Sequence, residues 1–195
     1  KKSGEIKLCC IRWNWLGEQI TEEGPDRDLA VSFAKYLNLS PKVIFIEWPQ
    51  LFEMTAKTNE TLLFSNSVCD IYATNLSVTP ERLDKIFIAP YYSSRIMIVY
   101  NRNKGFHPKT LKDLEGKKTS VTPGTVYEKW AEEFNKEKKK ENSKISILKL
   151  PRGGSLNLLK QGEIDFAVID TAQAIVASSA KDSGIIWAFP VGGHN

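Results

Sequence analysis

Two charged side chains, those of Arg82 and Asp170, carry the clearest chemistry in the sequence. Arg82 lies in a Thr-Pro-Glu-Arg turn just beyond a predicted strand, and its planar guanidinium suits a bidentate bond to a carboxylate. Asp170 directly follows another predicted strand, and its carboxylate can receive an ammonium group. Open α/β sheets place ligands at the carboxyl ends of their strands. The pair therefore predicts a site for a small zwitterion rather than for a sugar or a metal.

Polar residues near these two charges can complete such a site. Asn75 and Ser77 lie shortly before Arg82 and offer side-chain donors and acceptors. Gly124 and Thr125 open a predicted helix, where backbone N–H groups and the helix dipole favour an anionic group. All four residues are candidate ligand contacts.

Two aromatic residues, Trp13 and Trp15, follow the first predicted strand and complete the set of candidate ligand contacts. Aromatic side chains at such a position either stack on a ligand or pack in the protein interior. The sequence leaves both interpretations open.

Each polar candidate also has a purely structural interpretation. Arg82 can pair with the neighbouring Glu81, and Asp170 can cap the helix that follows it. Ser77 and Asn75 can serve only the turn that contains them. The sequence alone does not decide between these roles and ligand binding.

The elements that must position these residues alternate between strand and helix, which is typical of α/β layers around a largely parallel sheet. Strands are predicted at 6–11, 43–48, 70–74, 95–100, 118–121, 145–150, 165–169 and 185–189. Helices are predicted at 28–37, 51–63, 111–114, 127–139, 155–161 and 171–179, with a short helix that starts at Pro80. The expected buried stripe of the first helix consists of Leu29, Phe33, Ala34 and Leu37.

Four segments, in order, resemble the bacterial type II periplasmic solute-binding proteins, particularly the family 3 amino-acid binders. The similar segments are Gly-Pro-Asp-Arg-Asp-Leu-Ala at 24–30, Asp70 to Arg82 with Lys85 and Ala-Pro-Tyr at 89–91, Leu-Glu-Gly-Lys-Lys at 114–118 with Val121 and Gly-Thr at 124–125, and Leu159 to Asp170. The stretch from 154 to 170 also resembles the amino-terminal binding-protein-like domain of membrane-bound lytic transglycosylase F. The first resemblance covers roughly residues 4 to 190.

The resemblance implies a two-lobed type II periplasmic-binding-protein fold, each lobe a mixed sheet flanked by helices, with a ligand cleft between the lobes. Lobe 1 is expected at 1–94 and lobe 2 at 95–187. A strand at 188–195 is expected to return toward lobe 1, with further sequence beyond it. Hinges are expected near 93–95 and 188–191.

By the same resemblance, the protein binds an amino acid by closure of its lobes for uptake through an ABC-type permease. The alternative is a ligand-sensing regulatory domain of a lytic transglycosylase or a sensor kinase, fused to a membrane-associated part. Either role implies a periplasmic or extracellular location, free or tethered to a membrane. The family pattern assigns ligand contacts to Arg82, Ser77, Thr125 and Asp170. Val126 and the loop at 13–17 depart from it, so the pocket for the ligand's side chain does not follow the common family pattern.

Several other functional classes are disfavoured by composition and motifs. The lysine-rich run at 136–141 lacks interleaved aromatic residues or glycines, so it indicates a solvated helix face and not a nucleic-acid site. No apolar run approaches the roughly 18 residues of a membrane span. Two histidines without a metal-binding motif predict neither metal nor cofactor. No nucleophile–base pair is evident, so an enzyme is not expected, although a few dehydratases use this scaffold.

The three cysteines are Cys9, Cys10 and Cys69. Cys9 and Cys10 are neighbours in a predicted strand and point to opposite faces, so at most one of them can easily meet Cys69. Buried free thiols are favoured over a disulfide to Cys69.

Overall fold

The structure of the protein is a computed structural model, and it describes residues 4–14, 20–54, 61–63, 68–180 and 183–194. The chain divides into two compact units. Unit 1 is formed by residues 1–14 and 20–88, and unit 2 by residues 15–19 and 89–195. Among the described residues, no helix has the length and apolar character needed to cross a membrane.

Unit 1 contains a three-stranded parallel sheet with α1 against one face. Its strands and helices are β1 (Glu5–Ile11), β2 (Trp13–Asn14), β3 (Ile20–Thr21), α1 (Pro25–Tyr36), β4 (Ser40–Ile46), β5 (Phe52–Met54), β6 (Thr61–Leu63), β7 (Ile71–Ala73) and α2 (Pro80–Leu83). The order in the sheet is β4-β1-β7, and β2–β3 and β5–β6 are separate antiparallel pairs. Ile6, Leu8 and Cys10 alternate along β1 and pack with α1 in one core cluster.

Helix α1 starts earlier than predicted, and the face that it buries is not the predicted one. It begins at Pro25 and not at 28, because proline is well suited to the first helical position. Its buried residues are Asp26, Ala30 and Ala34, whereas Leu29 and Phe33 are 45% and 46% exposed. The inner face of the helix therefore carries small side chains and one carboxylate. The predicted buried stripe is therefore right for Ala34 and wrong for Leu29, Phe33 and Leu37.

The predicted helix at 51–63 is also wrong for the residues of that range that the structure describes, 51–54 and 61–63. Trp48–Leu51 is a 3₁₀ turn, and β5 pairs antiparallel with β6, with Phe52 opposite Leu63. The Gln50 side chain accepts a hydrogen bond from the backbone N–H of Glu47 at 2.6 Å, which supports the turn. Short apolar runs are compatible with either helix or strand, and β-branched Thr61 favours the extended form.

Cys9 and Cys69 form a disulfide, with their Cα atoms 5.7 Å apart. The prediction of free thiols is therefore wrong for these two residues. Cys69 lies just before β7, and the parallel pairing of β7 with β1 brings it beside Cys9. Cys10 is a buried free thiol, and burial together with the negative charge of Asp26 raises its pKa to about 11.

Unit 2 contains one parallel strand pair and one antiparallel sheet. Its elements are β8 (Ser94–Asn101), β9 (Lys118–Val121), α3 (Val126–Lys136), β10 (Ser146–Lys149), α4 (Ser155–Gln161), β11 (Phe166–Asp170), α5 (Thr171–Ser179) and β12 (Ile185–His194). Short 3₁₀ turns lie at Arg102–Lys104, Leu111–Leu114 and Glu141–Ser143. Strands β9 and β10 are parallel, whereas β11-β8-β12 is antiparallel throughout. The largely parallel sheet that was predicted thus holds in part only.

Strand β8 lies at the centre of the unit 2 core. Its alternating residues Ile96 and Ile98 pack in a cluster that includes Phe134 of α3, while Met97 and Val99 pack in a second cluster with residues of α4 and α5. Strand β12 continues to His194, beyond the predicted end at 189, with register shifts at Trp187/Phe189 and Pro190/Gly192. The two faces of β8 therefore hold the helices that carry the unit 2 candidate residues.

Candidate functional site

The polar candidates of unit 1 lie together in the chain segment that follows β7. Asn75 has a left-handed backbone conformation with φ 52°, which turns the chain after the buried Thr74. The Arg82 Nη1 atom then donates a 2.7 Å hydrogen bond to the backbone carbonyl of Ser77. Ser77 and Arg82, the latter in α2, are therefore joined within the short segment that Asn75 begins at the carboxyl end of β7.

The Arg82 guanidinium is partly buried, and its surroundings act on its pKa in two opposite directions. Burial lowers its pKa, while the nearby negative charge of Glu81 raises it. Arginine starts from so high a pKa that the side chain is a cation at neutral pH. The loop thus presents a permanent positive charge whose orientation is set by a main-chain bond.

In unit 2, Thr125 caps the amino terminus of α3. Its Oγ1 accepts a hydrogen bond from the backbone N–H of Glu128 at 3.3 Å and donates one to the carbonyl of Thr122 at 2.7 Å. Gly124 has φ 75° and donates its N–H to Glu128 Oε2 at 2.8 Å. The acidic group next to this helix start is therefore the protein's own Glu128, which also pairs with Lys149 at 2.7 Å.

The prediction of an anion site at Gly124 and Thr125 did not anticipate this carboxylate. The sequence does indicate that Glu128 contacts the start of the helix, because Thr-Val-Tyr-Glu at 125–128 has the pattern of a capping box. Here the glutamate reaches the N–H of Gly124, one residue before the cap. A ligand anion that binds at the start of α3 would have to share the backbone N–H groups there with the Glu128 carboxylate.

Asp170 is the N-cap of α5 and is almost fully buried, at 1% exposure. Its Oδ1 accepts a hydrogen bond from the backbone N–H of Gln173 at 2.7 Å, and its Oδ2 accepts one from the Tyr127 hydroxyl at 3.4 Å. The capping role considered for Asp170 is thus present in the structure. The contact with a ligand ammonium stays a prediction.

Tyr127 and Arg152 belong to this site and were missed from the sequence. Burial and the negative charge of Asp170 raise the Tyr127 pKa well above its ordinary value, an effect that the positive charge of Arg152 partly offsets. Tyr127 is therefore a neutral phenol that donates to Asp170. Tyr127 lies two residues beyond Thr125, so its place in the sequence, next to a candidate ligand contact, could have marked it as a candidate site residue.

The start of α5 is also tied to the start of β8. The Thr171 N–H donates to Ser94 Oγ at 3.3 Å, and Thr171 Oγ1 accepts from the Arg95 N–H at 3.1 Å. On its other side β8 pairs with β12, with Ser94 opposite His194 and Arg95 opposite Gly193. The first predicted hinge segment, 93–95, is thus bonded to the helix that Asp170 caps.

Within the two units, the structure brings the candidates together in three places. Asn75, Ser77 and Arg82 share the loop after β7; Gly124 and Thr125 open α3; Asp170 opens α5 and is linked to α3 through Tyr127. Trp13 lies in β2, paired with Thr21, and Trp15 lies outside the described residues. Among the described residues, no group of three or more His, Cys, Asp and Glu side chains is arranged to hold a metal ion.

The fold defined by these elements is that of two-lobed amino-acid-binding proteins. The structure of holo ArgBP from T. maritima matches 98% of this chain and 80% of its own, with TM-score 0.72 and 23% identity. An ancestral amino-acid-binding protein, described as a precursor of cyclohexadienyl dehydratase, matches the same shares with TM-score 0.72 and 22% identity. The predicted type II periplasmic-binding-protein fold is confirmed.

At the level of sequence, the chain is similar to membrane-bound lytic murein transglycosylase F of Saccharophagus degradans. The two are 27% identical over an alignment of 212 residues that takes in 97% of this chain and 39% of the relative. The chain therefore spans about two-fifths of the length of this curated relative. No protein-family model matches the chain. Both resemblances found in the sequence, to amino-acid binders and to this transglycosylase, are confirmed.

Proposed function

We propose that the protein is an extracytoplasmic binding domain for a small zwitterionic ligand, an amino acid, and that it is not itself an enzyme. The observation that carries this proposal is the fixed, partly buried Arg82 cation at the carboxyl end of β7, in a chain with the fold of amino-acid-binding proteins. The ligand carboxylate binds the Arg82 guanidinium. Because the Ser77 carbonyl already orients that group, little of its conformational freedom is lost on binding.

The ligand ammonium binds Asp170 in this proposal, with Ser77, Asn75 and Thr125 as polar neighbours. The Asp170 carboxylate is held by the Gln173 N–H and the Tyr127 hydroxyl, so its oxygens are pre-oriented. A charge-assisted bond to such a carboxylate is stronger than a bond between neutral groups. Micromolar affinity corresponds to about 8 kcal/mol, which a few such bonds can supply.

Ligand binding is proposed to shift the protein from open to closed conformations, as the predicted hinge segments at 93–95 and 188–191 imply. The extent of closure is limited by the difference in ligand affinity between the two conformations. Hinges absorb such motion in a few backbone torsions at the ends of elements.

The test is calorimetric titration of the purified protein with L-arginine first, because the ArgBP structure with TM-score 0.71 is described as arginine-bound, and then with the other amino acids. Arg82→Ala should lower affinity at least a hundredfold, because it removes the carboxylate's cationic partner. Arg27→Ala is the matched control in unit 1, since Arg27 pairs with Asp28 at 2.8 Å on the surface of α1. Equal affinity of Arg82→Ala and Arg27→Ala would refute the site.

A second candidate function, a ligand-sensing regulatory domain, is favoured by the similarity to the lytic murein transglycosylase along 97% of the chain. If this role holds, ligand should change the murein-cleaving activity of the full-length protein, and Arg82→Ala should abolish the response without abolishing the activity. If the protein serves uptake through a membrane permease, ligand should leave any such activity unchanged. The two roles are thereby separated in one assay.

The extracytoplasmic location is supported by the Cys9–Cys69 disulfide. Disulfides form and persist in oxidising compartments such as the periplasm and the cell exterior, and they are rare in the cytosol. Mass spectrometry of protein isolated under alkylating conditions should show the 9–69 bond. Isolation with all three thiols alkylated would contradict the proposed location.

A further inference from the structure

The chain segment that carries Arg82 (residues 69–82, the arginine segment) is joined to the rest of unit 1 by a short strand. Strand β7 pairs with β1 at three positions, Leu8–Ile71, Cys9–Tyr72 and Cys10–Ala73. On the opposite side of β1, β4 pairs at seven positions. Each ladder position contributes one small increment of stability, so the β7 side of the sheet is the more weakly held.

Two additional links hold the arginine segment at the point where it enters the sheet. One involves its first residue, Cys69, and the other its second residue, Asp70. The Cys69 sulfur is bonded to that of Cys9, which is itself fully buried in β1. The Lys7 N–H donates to Asp70 Oδ2 at 2.9 Å, and the Asp70 N–H donates to the Lys7 carbonyl at 2.9 Å. The segment is thus fastened to β1 before its first ladder pair.

The third cysteine does not threaten this pairing. Cys10 is adjacent to Cys9, but its side chain lies in the core cluster that faces α1. With a pKa of about 11, only about one Cys10 in ten thousand is a thiolate at pH 7. Disulfide exchange requires a thiolate, so the Cys9–Cys69 bond is insulated from the thiol beside it.

We propose that the Cys9–Cys69 disulfide positions the arginine segment, and that ligand binding by this protein is therefore sensitive to thiol reductants. A dithiol reductant reduces the bond to two cysteine thiols and is itself oxidised to a disulfide, so two electrons and two protons pass to the protein. Without the link, the segment loses its covalent tie to β1, and the three ladder positions, the Lys7–Asp70 bonds and the packing of Ile71 and Ala73 against the α1 side of the core have to hold it. The loop containing Ser77 and Arg82 then samples more conformations, and affinity falls. Cys69 is a positioning residue in this account, which rests on the proposed function.

The experiment compares hydrogen exchange and L-arginine binding in oxidised and dithiothreitol-reduced protein. Amides of residues 70–82 should exchange at least about tenfold faster after reduction, and affinity should fall about tenfold. Amides of β4 and of β11 should be unaffected. β4 reports on the rest of the unit 1 sheet, and β11 lies in unit 2, whose sequence contains no cysteine. Unchanged exchange at 70–82, or an equal increase in β4, would overturn the positioning role.

Matched variants separate the disulfide from the other thiol. Cys9→Ala/Cys69→Ala should reproduce the reduced state and show no response to dithiothreitol, whereas Cys10→Ala should behave as wild type. Asp70→Asn keeps the disulfide and weakens the second link, so it should raise exchange at 70–82 by a smaller factor even if the double variant fails to fold. Equal affinity of oxidised and reduced protein would overturn the redox-sensitive binding. If oxidised protein bound no amino acid, the proposed function would fail instead, and the exchange data would still decide the positioning role.

Discussion

The Tyr127–Asp170 hydrogen bond links the starts of α3 and α5, and Tyr127→Phe removes it while keeping the ring. A hydrogen bond to a charged group contributes about 1.5–3 kcal/mol. At 3.4 Å this bond is longer than the roughly 2.5–2.7 Å of a strong O–H···O⁻ bond, which places the expected loss near 1–1.5 kcal/mol. In a protein of this size that loss lowers the unfolding temperature by about 3–5 °C.

Differential scanning calorimetry and denaturant unfolding measure the effect, with Tyr36→Phe as the control. Tyr36 is 81% exposed at the end of α1, so loss of its hydroxyl should change the free energy of unfolding by less than about 0.5 kcal/mol. If the proposed ammonium contact is correct, Tyr127→Phe should also weaken amino-acid binding, because Asp170 loses a group that orients it. Equal stability and equal affinity of the two variants would refute this account of the pair.

The pH dependence supplies an independent check on the same bond. The Tyr127 pKa is raised in the folded protein by burial and by Asp170. Above about pH 10, the ordinary tyrosine pKa, the unfolded phenol ionises while the folded one stays protonated. The unfolded state then binds fewer protons, so the free energy of unfolding of the wild type falls as pH rises. Phenylalanine cannot ionise, and the stability difference between wild type and Tyr127→Phe should narrow above pH 10. A difference that stays constant to pH 11 would contradict the raised pKa.

Further predictions concern the packing of unit 2 and are tested by unfolding measurements on matched pairs of variants. Gly116 and Gly105 have nearly equal φ values of 71° and 73°, but a Cβ on Gly116 would lie 3.0 Å from the Asn142 carbonyl oxygen, whereas one on Gly105 meets nothing within 4 Å. Gly105→Ala should therefore lower the free energy of unfolding by about 1–2 kcal/mol, and Gly116→Ala by about 1 kcal/mol more. Equal losses would show that the protein relaxes the contact between the new Cβ and the Asn142 carbonyl without cost. Asn135 bonds both the N–H and the carbonyl of Ile145 at 2.8 and 2.9 Å, so Asn135→Ala should cost about 2 kcal/mol. Asn142→Ala, at an exposed position, is its control, and similar losses in the two would refute a special role for Asn135.

The elements of unit 2 followed most closely from the sequence where local signals mark both ends. Helices at 155–161 and 171–179 and the strand at 118–121 have their predicted bounds. Gly162 ends α4 in the left-handed conformation, and Asp170 caps α5, so the boundaries are written into single residues. Such capping signals act over a few residues, so they depend little on how the rest of the protein packs.

The errors arose where tertiary packing decides. Helix α1 turns its alanines inward, toward the core cluster that it forms with β1, and the spacing of apolar residues alone does not show which stripe of the helix faces the sheet. The antiparallel direction of β8, β11 and β12 depends on pairings between strands far apart in the sequence. The disulfide likewise depends on the register of β7 with β1. Information of this kind is shared between distant residues and is absent from any single segment.

For the candidate site, the residue types predicted a charge pattern, and the structure supplied the groups that orient each charge. Arg82 is oriented by a carbonyl, and Asp170 by an amide and a phenol. Carbonyls and amides occur at every residue, so their involvement cannot be recognised from the sequence. Glu128, by contrast, is marked by the capping-box pattern that begins at Thr125, and Tyr127 lies inside that pattern.

The pairing of β8 with β12 bears on the order in which the protein can fold during synthesis. Ser94 at the start of β8 lies opposite His194, one hundred residues later in the chain. Unit 1 is built from strands that have all left the ribosome once residue 73 has emerged, and its disulfide can close at that stage. Unit 2 must wait for its last strand, and until then one edge of β8, rich in buried apolar residues, has no partner strand from this sheet. A nascent chain halted before residue 185 should therefore recruit chaperones through unit 2 and not through unit 1.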